Sequence, residues 1–168
     1  DDDQSTEEVF SFSTVAGTYT ANCSDYTSFM EDETGQWIEY DDEAIDGCGH
    51  RYLEVDVDVN GNFEVIVKDT KVYDYLGPDA DYCRSFYTGS GVLSLTDGTN
   101  PYSELSLKYN STCQPVDNTT QKLHDMQENG SYTMKIFFEG DIMKVEYTEI
   151  INFGVDFKQI LFFDARKQ

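Results

Sequence analysis

Cysteines, histidines and carboxylates are the side chains in this chain that could do chemistry, and their spacing limits what each can do. The four cysteines are Cys23, Cys48, Cys83 and Cys113. No two form a C-x-x-C pair, and His50 and His124 do not complete a zinc-ligand pattern with them. An even number at wide spacing reads as two disulfides formed in an oxidising compartment, with all three connectivities open. The run Asp56-Val57-Asp58-Val59-Asn60-Gly61-Asn62 begins like a calcium loop, with oxygen donors at alternate positions and glycine at the sixth. The twelfth position, where such a loop needs a bidentate Glu, is Val67. An alternating strand entering a hairpin explains the same residues, so no metal ligands are expected. The acidic segments Glu31–Glu33, Asp41–Glu43 and Asp79–Asp81 have no spacing that specifies a cation site.

Neither histidine stands in a nucleophile context, and no Gly-x-Ser-x-Gly elbow occurs. Carboxylate pairs of the glycosidase kind carry no information among 33 acidic residues. No catalytic residue and no cofactor is expected. The net charge of −22 repels phosphate backbones and anionic headgroups, which excludes nucleic acid as a partner. It attracts cations, amines and basic protein patches. No apolar run approaches the roughly 20 residues of a membrane span. Sequons at Asn22, Asn110, Asn118 and Asn129 suit a secreted glycoprotein.

The elements that would position these groups are strands. With 39% hydrophobic and 14% aromatic residues, 168 residues can bury a single core. Residues 1–8 read as a flexible acidic arm, and 9–168 as one domain. In Tyr52–Val59 the residues Leu53, Val55, Val57 and Val59 share a face, and the loop Asn60-Gly61-Asn62 sets Val59 opposite Phe63 with Asn62 in its left-handed position. Tyr132–Glu139 turns at Gly140-Asp141 into Ile142–Thr148. That register pairs Phe138 with Met143, Ile136 with Val145 and Met134 with Tyr147, and on the other face Lys135 with Glu146. A third hairpin runs through Thr96–Pro101, with Leu93, Leu95, Leu105 and Leu107 on one side. Adding a first and a last strand gives eight, near 17–23, 51–59, 63–73, 83–95, 104–113, 131–139, 142–150 and 156–164. Only Thr119–Gln127 has room for a short helix.

The pattern predicts an all-β fold, an eight-stranded antiparallel up-and-down barrel. Strand parity then sets all four cysteines and the long connections 24–50, 74–82 and 114–130 at one end. Closure through strands one and eight leaves few free edges, which suits a monomer. An eight-stranded barrel can be filled by side chains or hold one small ligand. The candidate lining is Phe63, Tyr132, Met134, Ile136, Met143 and Tyr147 inside the barrel, with Trp37 and Tyr40 in the first long loop above the mouth.

Gly17-Thr18-Tyr19 at the head of the first strand, the meander, and Arg166 after the last strand together resemble the lipocalins and the wider calycin group. The family begins its first strand with Gly-x-Trp and packs an arginine over that aromatic, and here Tyr19 replaces the Trp. The resemblance implies carriage of a small, largely apolar ligand. Together with the cation-attracting charge, the expected function is an extracytoplasmic protein that holds a small apolar or amine ligand in its barrel. The alternative is a protein-interaction module, an adhesin or inhibitor, that uses the acidic loop-bearing rim and treats the barrel as scaffold.

Overall fold

The structure is a computed structural model and describes residues 9–22, 24–40, 51–69, 85–112 and 114–168. All four cysteines, His50, and the acidic segments at 41–43 and 79–81 lie outside the described residues, as does the expected arm 1–8. A 3-10 turn at Phe12–Thr14 precedes β1 (Gly17–Asn22), β2 (Tyr26–Glu31) and β3 (Trp37–Tyr40). There follow β4 (Arg51–Val57), β5 (Asn62–Asp69), β6 (Ser85–Val92), β7 (Ser94–Thr96), β8 (Asn100–Ser106) and β9 (Lys108–Ser111). Helix α1 (Asn118–Glu128) leads into β10 (Ser131–Glu139), β11 (Ile142–Asn152) and β12 (Asp156–Lys167).

Every pairing is antiparallel, and the described strands form a single strongly curled sheet, a half-barrel of twelve strands. Its path runs β7-β8-β10-β11-β12-β1-β4-β5-β6-β9, with β2 on β12 and β3 on β2. The sequence reading counts eight strands. Two of the additional ones, β2 and β3, fold up in the first long connection. The other two arise because Leu93 separates β6 from β7 and Leu107 separates β8 from β9. Both breaks have one cause: mid-hairpin, β6 turns its hydrogen bonds to β5 while β8 turns its own to β10.

The cleanest hairpin has the register read from sequence: Phe138 faces Met143, Ile136 faces Val145, Met134 faces Tyr147 and Lys135 faces Glu146. Gly140 takes the positive φ that the first position of a type II′ turn requires. The β4–β5 hairpin differs. Phe63 pairs with Val57, and Val59 sits exposed in the turn. The left-handed residue is Gly61 rather than Asn62, and the Asp58 carboxylate accepts the backbone N–H of Asn60 at 2.8 Å and of Asn62 at 2.9 Å. The apparent calcium loop is thus a turn whose carboxylate is already in use.

Period-two alternation sends one face of each long strand into a shared core. Leu53, Val55, Val67, Met134, Ile136, Met143, Val145, Leu161 and Phe163 are buried there together. Helix α1 starts on a capping box, Asp117 accepting from Thr120 N–H at 2.8 Å. Among the described residues no helix is long and apolar enough to cross a membrane.

Candidate functional site

Three charged residues break the aliphatic pattern on the inner face. Arg51 opens β4, Asp69 closes β5 directly opposite it, and Glu149 follows Met143, Val145 and Tyr147 on the inward side of β11. All three are buried. Arg51 Nη2 lies 3.2 Å from Glu149 Oε1 and Nη1 lies 3.8 Å from Asp69 Oδ2. Burial by itself pulls the guanidinium down, but Glu149 and then Asp69 overcome it and hold Arg51 well above its ordinary value. The backbone N–H of Arg51 donates to the Tyr26 hydroxyl at 3.3 Å. Among the described residues, Arg51 Nε and Nη1 have no hydrogen-bond acceptor. One buried cation thus faces two buried carboxylates among the described residues, and two of its donor atoms meet no acceptor there.

Tyrosines surround this group. Tyr147 donates to Glu149 Oε1 at 2.7 Å, and burial first, then the charge of Glu149, pushes its hydroxyl well up. The Arg51 guanidinium stands 5.8 Å from the centre of the Tyr87 ring. Tyr87 in turn packs on Tyr132 at 4.6 Å, on Tyr147 at 5.7 Å and on Tyr109 at 5.7 Å. Helix α1 closes over the outer rings. Tyr132 donates to the Gln127 carbonyl at 2.6 Å, and Tyr109 donates to Gln127 Oε1 at 2.8 Å. Burial raises the Tyr132 hydroxyl, with Glu149 adding to it.

This cluster lies at one end of the sheet. A ladder row runs Asn22, Tyr52, Lys68, Phe86, Asn110, so β1, β5 and β9 finish where β4 and β6 begin. The long connections leave from that end. Of the residues expected to line a pocket, Phe63, Tyr132, Met134, Ile136, Met143 and Tyr147 are all buried in the one core cluster. Trp37 and Tyr40 are apart from it on β3, whose one partner among the described strands is β2, and Trp37 is 43% exposed. Of the expected lining, Tyr132 and Tyr147 belong to the polar group.

Sequence reasoning missed Arg51, Asp69 and Glu149, although a signal existed. Each has the parity of its strand's apolar residues, so strict alternation already turns all three inward. His124 lies on α1, 6.0 Å from the Tyr109 ring and 3.4 Å from Glu128, outside the buried group. Among the described residues no cluster of three or more His, Cys, Asp or Glu is placed to hold a metal ion. Comparison with protein-family models, curated proteins and solved structures finds no match.

Proposed function

We propose that this chain is a secreted, lipocalin-like binding protein that takes a small aromatic or largely apolar amine at the tyrosine-walled end of its sheet. The observation that carries the reading is the buried Arg51–Asp69–Glu149 group. Among the described residues its buried charges stand inside a wall of tyrosine rings, with Glu149 desolvated beside Tyr147, a setting that suits a desolvated ammonium. The overall charge of −22 draws the same ligands toward it. The Arg51 donors that meet no acceptor among the described residues offer an anchor for an acceptor on the ligand. The hydroxyl bonds from Tyr109 and Tyr132 to Gln127 make α1 the cover of this end.

On this reading the fold is a closed eight-stranded barrel. The register Ser85–Ser111 through Thr96–Asn100 is one continuous hairpin register, so β6 with β7 and β8 with β9 count as two long strands. The strand ends beside the four cysteines gather at the end that bears the tyrosines, which supports two disulfides tying down its loops. Tryptamine and its uncharged alcohol counterpart, titrated into the full chain by calorimetry, test the function. Tryptamine is expected to bind saturably and more tightly than the alcohol, with Glu149→Gln removing that preference. No saturable binding of either compound refutes it.

A second reading, a protein-interaction module, has its own observation. Trp37 and Ile38 on β3 and Phe162 on β12 are exposed large apolar side chains, and β3 has one described partner strand. That reading predicts a basic protein partner whose affinity falls steeply with salt, whereas carriage of an apolar ligand is nearly insensitive to it.

A further inference from the structure

We propose that the opposite, short-turn end of the sheet carries a second ligand site, for a monomeric amphipathic anion of the alkyl or aryl carboxylate or sulfonate class. A cavity of ≈ 720 Å³ opens there, between the segment leading into β1, the β7–β8 and β10–β11 turns and the end of β12. That volume lies within the range of small-molecule pockets. Phe10, Val15, Tyr19, Pro101 and Phe138 give it an apolar lining. Tyr19 and Phe138 meet edge to face at 5.7 Å, and Tyr19 donates its hydroxyl to the Val15 carbonyl at 3.0 Å, which holds that wall in place.

The same cavity is lined by Arg166 and Lys167. Other lysines around β12 are occupied: Lys144 holds Asp164 at 2.8 Å and Lys158 holds Glu31 at 2.8 Å. Arg166 and Lys167 have no carboxylate partner among the described residues. In a chain with 33 acidic and 11 basic residues, two adjacent cations that no described carboxylate pairs, beside an apolar cavity, form a local exception to the surface charge. Asp141 also lines the cavity and its charge adds to the rise of the Tyr19 hydroxyl, which burial leads. A ligand headgroup is therefore directed to the Arg166–Lys167 side, with its tail along Phe138 and Phe10. This site shares no residue with the tyrosine-walled end, so the two proposals stand or fall separately.

Fluorescence titration of the full chain with 1-anilinonaphthalene-8-sulfonate tests it, using dodecanoate and dodecyltrimethylammonium, both below their micelle concentrations, as competitors. The expected result is saturable binding, displacement by dodecanoate, and weaker competition from the cationic analogue. The double variant R166Q/K167Q changes only exposed side chains and should weaken binding about fivefold to tenfold. Tyr132→Phe, at the far end, should leave it unchanged. Affinity of R166Q/K167Q within about twofold of the parent, or equal competition by the cationic analogue, overturns the proposal.

Discussion

Replacing Arg51 with methionine removes the buried cation while nearly keeping its length. Its two contacts, 3.2 Å to Glu149 and 3.8 Å to Asp69, correspond to about 5 and about 4 kcal/mol of attraction at an effective dielectric of about 20. Desolvating the three ions costs several kcal/mol each, so the intact group contributes little net stability. Arg51→Met alone leaves Glu149 and Asp69 buried without the guanidinium that faces them, and the expected loss is about 3–5 kcal/mol. For a domain of this size that lowers Tm by about 6–20 °C. Urea denaturation followed by circular dichroism measures it. Neutralising all three positions, as Arg51→Met/Asp69→Asn/Glu149→Met, should return stability to within about 1 kcal/mol of the parent. A loss below about 1 kcal/mol for Arg51→Met would refute the reasoning.

Three further outcomes follow from the same structure. Tyr132→Phe removes the 2.6 Å bond to the Gln127 carbonyl and should cost about 1–2 kcal/mol, with faster amide exchange across Asn118–Glu128. Gly61→Ala forces a Cβ to 2.9 Å from the Phe12 ring at a φ of +82°, and should destabilise by more than about 1 kcal/mol in denaturant titration. The Asp117 carboxyl is held below the usual carboxylate range, first by the Thr120 backbone N–H and then by its side chain. Its contribution is therefore present above the unfolded carboxylate range and lost as pH falls through the lowered folded value, so α1 should fray first on acidification, as read by amide exchange.

The sequence by itself determined the antiparallel β class and several registers, because those depend on neighbours in the chain. Alternation fixed which face of each strand turns inward, and Gly140-Asp141 fixed the β10–β11 pairing on two faces at once. The β4–β5 turn was misjudged because Gly61 and the Asp58 side chain, rather than Asn62, meet the demands of that turn. Strands β2 and β3 were missed as well. Asp32 at their turn accepts the N–H groups of Thr34 and Gln36, a signature short enough to be taken for loop. Tertiary structure alone decided where long strands break, because Leu93 and Leu107 lie where two ladders diverge toward different partners. It alone decided the site too. Parity could turn Arg51 and Glu149 inward, but they are 98 residues apart in the chain, and only the curl of the sheet brings them within 3.2 Å under one set of tyrosines.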